Sequence, residues 1–127
     1  MSNQITIKKK ELFGVNYSVT NYDQASDFVI KAARDKKSIG VSALAVHGLV
    51  ESIRNKDLFK KVQKINLIVP DGQPIKWALN HFYNTNLIDR VYGPELTLHI
   101  LKKASAEKLN VFLYGSTEDT LNKFKNF

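Results

Sequence analysis

The spacing of apolar and polar positions changes several times along this chain, and each change marks an element. Alternating apolar residues at Ile5 and Ile7, and again at Val15, Tyr17 and Val19, predict two short strands around Gly14 at a sheet edge, with polar partners on a wet face. From Asp23 the period becomes helical: Ala25, Phe28, Val29, Ala32 and Ala33 share a face, after an Asn/Asp-rich cap region and before Lys36-Lys37. Ser38 to Ala43 reads as a strand running into a turn, and Val46, Leu49, Val50 and Ile53 follow the helical template. A second helical piece, Leu58 to Val62, leads to Ile65-Asn66-Leu67-Ile68-Val69, an apolar run of the kind a buried parallel strand shows. Ile75, Ala78, Leu79 and Phe82 then mark one face of a helix from Pro74 to about Tyr83. After the polar connection Asn84-Thr85-Asn86, a helix carries Leu96, Ile100, Leu101 and Ala104, with Pro94 suited to its first turn. Val111-Phe112-Leu113-Tyr114 reads as one more buried strand, and Gly115 as the turn after it. Ser116 with Asp119 reads as a capping box opening a last helix, which has Leu121, Phe124 and Phe127 on one side.

This alternation predicts an α/β chain: a Rossmann-like parallel sheet flanked by helices, with a short N-terminal β-hairpin at its edge. No linker, repeat or low-complexity segment divides residues 1–127, and that length suits one compact domain. The apolar face of the last helix needs a cover that the remaining sequence does not supply. The chain is therefore expected to be truncated relative to a longer functional protein, natural brevity being the alternative.

Composition narrows the partners. Hydrophobic residues make up 43% and charged residues 24%, which excludes a disordered chain. The formal charge of +7 favours anionic partners such as phosphate-bearing ligands, nucleic acid or an acidic membrane face. The basic residues fall in short clusters, Lys8-Lys9-Lys10, Lys36-Lys37, Lys60-Lys61 and Lys102-Lys103, without interleaved aromatics. That is the pattern of solvated helix ends and strand flanks, so nucleic acid is not expected as a partner. The absence of cysteine removes disulfides and thiolate metal sites and fits a reducing compartment. Met1 to Glu11 has no apolar core of a signal peptide, and no run approaches the ~20 residues of a membrane span, so a cytoplasmic chain with at most peripheral membrane contact is expected.

Candidate chemistry lies where the predicted strands end, since ligands of open α/β sheets bind at that edge. Ser42, Asp71 and Gly115-Ser116 follow successive strands and would place a hydroxyl, a base and a helix N-terminus on one rim. Asp71 stands in Val69-Pro70-Asp71-Gly72-Gln73-Pro74, a turn whose prolines and glycine fix its course, and a positioned carboxylate is what proton abstraction needs. Equally, Asp71 can be a turn residue bonding its own backbone. Gly115-Ser116-Thr117 matches neither a phosphate-binding P-loop nor a dinucleotide fingerprint. In Arg90-Val91-Tyr92-Gly93-Pro94 a cation precedes a tight turn and a helix start. Arg90 can grip a phosphate through paired hydrogen bonds, or form a surface ion pair with Asp89 or Glu95. His47, His81 and His99 lack metal-ligand spacing, and His47 alone lies near the expected rim.

Pro70-Asp71-Gly72, then Asp89-Arg90-Val91-Tyr92-Gly93-Pro94-Glu95-Leu96, then Val111-Phe112-Leu113-Tyr114-Gly115 resemble, in order and spacing, the WecG/TagA/CpsF family of bacterial glycosyltransferases, from about Leu12 to Phe127. The resemblance implies transfer of a sugar, N-acetylmannosamine or a relative, from a UDP-sugar to a hydroxyl of a glycan or a polyprenyl-diphosphate-linked acceptor in cell-surface polysaccharide synthesis at the inner membrane face. It implies Asp71 as general base of an inverting displacement without a required metal or cofactor, Arg90 as contact for diphosphate charge, and Ser42 where many members have threonine. Gln73, Gly93 and Gly115 are then expected to line the cleft, with His47 nearby. Leu44 stands where many members have asparagine, and the family's catalytic domain continues beyond the segment resembled here. Two rival readings are a non-catalytic basic α/β module for a nucleotide or nucleic acid, and a structural subunit that buries its last helix against a partner, such as a second copy.

Overall fold

The computed structural model describes residues 5–127, and the statements below concern those residues. It opens with a hairpin of β1 (Lys9–Leu12) and β2 (Val15–Ser18), antiparallel with Leu12 opposite Val15 and Lys9 opposite Ser18. The first strand therefore lies after Ile5 and Ile7, not on them. The cause is the two-residue turn: Phe13 and Gly14 both take positive φ, 51° and 83°, the mirror-image turn that matches strand twist, and it sets the register of everything before it. Ile7 packs instead against the buried cluster of Ala25, Leu67, Val69, Val91 and Leu96.

Helix α1 (Tyr22–Arg34) begins where the Asn21 side chain accepts the Gln24 amide at 2.9 Å. Ala25 and Ala32 of its expected face are buried, but Ala33 is exposed and Ile30 is buried in its stead; the helix packs on α5 (Gly93–Ala106) and, through Ala25, on the cluster holding Leu67 and Val69. Lys103 of α5 reaches across to the carboxylates of Asp23 and Asp27, each at 2.7 Å.

Strand β3 (Val41–Leu44) leads to α2 (Val46–Arg54) and α3 (Lys56–Val62), then to β4 (Leu67–Pro70) and α4 (Gln73–Tyr83). β3 and β4 pair in parallel, Ser42 opposite Ile68 and Leu44 opposite Pro70. The apolar run in β4 is buried on both faces. Ile68 joins Leu12, Val15, Tyr17, Leu49, Ile75 and Leu79 on one side, while Leu67 and Val69 join Ala25, Val91 and Leu96 on the other. Burying each such side chain contributes ~1.5–3 kcal/mol. The helix faces hold at their centres and fail at their ends: Leu49 and Leu79 are buried, whereas Val46, Ile53 and Phe82 project into solvent.

The C-terminal third departs most from expectation. Val111–Tyr114 is not a strand, and apart from the half-buried Leu113 its side chains are exposed, Phe112 by 88% and Tyr114 by 94%. A strand needs a hydrogen-bonded neighbour, and among the described residues the parallel sheet holds only β3 and β4. The last helix, α6 (Glu118–Lys125), is capped by Thr117, whose hydroxyl accepts the Thr120 amide, and not by Ser116, which has a left-handed φ of 60°. Leu121 is half-buried, while Phe124 and Phe127 face solvent. The described architecture is thus α/β, with six helices, an antiparallel hairpin and a parallel pair.

Candidate active site

The parallel register of β3 and β4 brings the turns after Leu44 and after Pro70 out at the same edge. At the second turn the chain folds back at once: the Asp71 amide donates to the Val69 carbonyl at 2.9 Å. Gly72 follows at φ 96° and ψ 150°, a conformation essentially reserved for glycine, and Pro74 fits the first turn of α4. The Asp71 side chain is half-buried in this corner.

The Arg90–Pro94 segment closes on the corner from α5. The Val91 amide donates to the Pro70 carbonyl at 2.9 Å, and the Gly93 amide to Asp71 Oδ2 at 3.4 Å. Gly93 is needed for this approach, because a Cβ there would lie 3.2 Å from the Ala43 Cβ and 3.8 Å from Asp71 Oδ2. Gly93 also opens α5, so the positive end of a 14-residue helix meets the carboxylate.

Tyr17 reaches the corner from the hairpin. It is fully buried, and its hydroxyl donates to the Leu44 carbonyl at 3.0 Å. Burial, and secondarily the negative charge of Asp71, push its pKa far above the ordinary phenol value, so it stays neutral. Sequence reasoning placed Tyr17 only as a strand position. The available signal was that a tyrosine on a buried strand face requires a partner for its hydroxyl.

The other expected site residues divide. Ser42 is half-buried inside β3, opposite Ile68, and not in the turn after it. His47 and Gln73 are exposed at the starts of α2 and α4. Arg90 is exposed and makes no ion pair with Asp89 or Glu95 among the described residues; its guanidinium lies 5.0 Å over the Tyr92 ring, and Glu95 is instead 3.6 Å from His99. Arg90 lines a hollow of about 460 Å³ with Thr20, Asn21, Gln24 and Ile88. A second hollow, of about 370 Å³, lies at the opposite edge of the parallel pair beside Asn66 and Leu67. Asp71 lines neither. Gly115 is not brought to the corner: its turn follows the unpaired Val111–Tyr114 segment, and a Cβ on it would meet nothing within 4 Å. Among the described residues no group of three or more His, Asp or Glu is arranged to hold a metal ion.

The family model for "Glycosyl transferase WecG/TagA/CpsF family" matches residues 10–127. The chain belongs to this family. One relative is the N-acetylglucosaminyldiphosphoundecaprenol N-acetyl-beta-D-mannosaminyltransferase of Bacillus subtilis (strain 168), 25% identical over 117 residues. That match takes in 91% of this chain and 45% of the relative, so the chain spans under half the length of the relative. In this WecG/TagA/CpsF member, two segments that carried the resemblance, Pro70-Asp71-Gly72 and Asp89–Leu96, are joined by the bonds from Val91 and Gly93. No helix among its described residues is long and apolar enough to cross a membrane.

Proposed function

We propose that this chain is the N-terminal portion of the catalytic domain of a glycosyltransferase, one that moves N-acetylmannosamine or a related sugar from a UDP-sugar to a hydroxyl of a glycan or lipid-linked acceptor in cell-surface polymer synthesis. Family membership and the B. subtilis relative support the reaction class. The parallel pair with its helices is read as the beginning of a Rossmann-like sheet, and residues 1–127 as a single α/β portion.

The observation that carries the mechanism is the state of Asp71. Its carboxylate is held half-buried at a corner, and among the described residues the one hydrogen bond to it is the long contact from Gly93. A carboxylate has about four lone-pair positions, so Asp71 retains capacity to accept from an acceptor hydroxyl. As the hydroxyl oxygen attacks the anomeric carbon, its proton passes to Asp71, a new C–O bond forms, and the bond to the diphosphate oxygen breaks with inversion. Arg90, without an ion pair among the described residues and stacked on Tyr92, is a ready contact for diphosphate charge, with Ser42, Gln73, Gly93 and His47 proposed as further substrate contacts. In this reading the displacement requires no metal or other cofactor. The +7 charge suits peripheral contact with an anionic membrane face, where a polyprenyl-linked acceptor would be presented.

A transfer assay with UDP-N-acetylmannosamine and a lipid-diphosphate acceptor, on the protein that carries this chain, tests the reading. Asp71→Asn should lower kcat by about 10²–10⁴-fold, the contribution of general-base catalysis. Undiminished turnover would remove Asp71 from the mechanism.

A further inference from the structure

We infer that Tyr17 is a positioning residue for Asp71: its buried hydroxyl, bonded to the last carbonyl of β3, holds the turned-back backbone corner that presents the carboxylate. The inference rests on the role proposed above for Asp71.

The reason lies in how β4 ends. In a parallel ladder, the carbonyl of Leu44 would look to the β4 backbone for its donor, opposite Pro70 and Asp71. Pro70 has no N–H to offer. The Asp71 amide is turned back to Val69, which is what lifts Asp71 out of the strand direction. The corner therefore deprives the last carbonyl of β3 of its neighbours' donors. Tyr17, wholly buried on β2, supplies the replacement at 3.0 Å. A half-buried carbonyl left without a donor would compete for the nearest free N–H. Here that competitor would be the Asp71 amide itself, and its capture by Leu44 would extend the ladder by one residue and rotate the carboxylate away from Gly93.

The phenol also acts by where its single proton goes. Asp71 is near enough for its charge to raise the phenol's pKa, yet no hydrogen bond joins the two, because the proton is committed to Leu44. Asp71 thus keeps its lone pairs for substrate.

The test compares Tyr17→Phe, which keeps the buried ring and removes only the hydroxyl, with Val15→Ala, a buried change on the same strand that leaves the Tyr17 hydroxyl in place. Tyr17→Phe should lower kcat about tenfold with KM for the UDP-sugar within about twofold, since misplacement of a catalytic group acts on the chemical step. Amide exchange at Gly93 and Asp71 should quicken about tenfold in the same variant, as expected when a local structure opens more easily. Val15→Ala should lower the melting temperature and leave kcat and both amides as they are. Tyr17→Phe with unchanged kcat or unchanged protection at Gly93 and Asp71 overturns the inference, as does Val15→Ala reproducing the loss in kcat. Asp71→Asn run alongside separates the two ideas: full turnover there sinks the transferase role of Asp71, whereas the amide measurements judge the link from Tyr17 to the corner in either case.

Discussion

Leu67–Pro70 and Val111–Tyr114 are apolar tetrads, each followed by a turn containing glycine and then by a helix, and they end in opposite circumstances. Every residue of the first is buried, and the strand pairs in parallel with β3. The second pairs with nothing among the described residues and exposes its aromatic rings. The glycines differ in the same way. Gly72 sits in a corner tied to β3, α4 and α5, while the surroundings of Gly115 are empty. An apolar tetrad is thus only a candidate strand. It becomes one when a neighbouring edge takes its backbone hydrogen bonds and facing elements cover both sides, and the turn beyond it becomes a site only when other chain segments are held against it.

The largest expected difference between the two turns is in catalysis. The loss predicted for Asp71→Asn should have no counterpart at the other turn, where Gly115→Ala should change kcat by less than about twofold, as for a distant, independent position. A large loss at Gly115 would show that its turn is recruited to the cleft. Stability should separate the tetrads next. Leu79→Ala, which empties the core beneath β4, should cost ~2–5 kcal/mol in denaturant titration, whereas Tyr114→Ala should fall within about 0.5 kcal/mol of the parent. A cost at Tyr114 near that at Leu79 would mean that its ring is covered in solution.

Gly93→Ala sharpens the contrast at the corner. Its methyl would be forced against Ala43, so a loss of ~1–3 kcal/mol is expected in the same titration. The smallest effect concerns the clasp between α1 and α5. The hydrogen bond from Lys103, and then its charge, hold the Asp23 carboxyl below its ordinary pKa of 3.8. A depressed carboxyl contributes stability above its unfolded pKa and loses it as pH falls through the folded value. The melting temperatures of the parent and Asp23→Asn should therefore differ slightly at neutral pH, begin to converge as the pH falls below about 3.8 and meet only below the depressed folded value, and added salt should narrow the gap because Asp23 is exposed. A gap that persists in acid would assign the effect to packing.

Much of the candidate site is legible in the chain itself. The apolar run, Pro70, the carboxylate, Gly72 and Pro74 announce a strand, a sharp corner and a helix start, and the structure places them so, with the strand shifted to Leu67–Pro70. The segment from Arg90 to Pro94 was legible as a turn into a helix, but its contact with the corner was not, because the bonds from Val91 and Gly93 span residues far apart in the chain. Ser42 was placed in a turn and lies inside a strand, a boundary error of the kind periodicity cannot avoid when both flanks are polar or small. Tyr17 was overlooked as a site neighbour, since the carbonyl it serves is orphaned only by the way another strand ends.

Local order along this chain, the helices from Tyr22 to Ala106 and the corner after Pro70, follows from residue types and their spacing, because caps, prolines, glycines and apolar periodicity act over a few residues. Which apolar run becomes a paired strand, which glycine faces a carboxylate and which hydroxyl completes a broken ladder were decided by tertiary contacts. Those depend on groups distant in sequence meeting at hydrogen-bond and van der Waals range, and no local pattern encodes that distance.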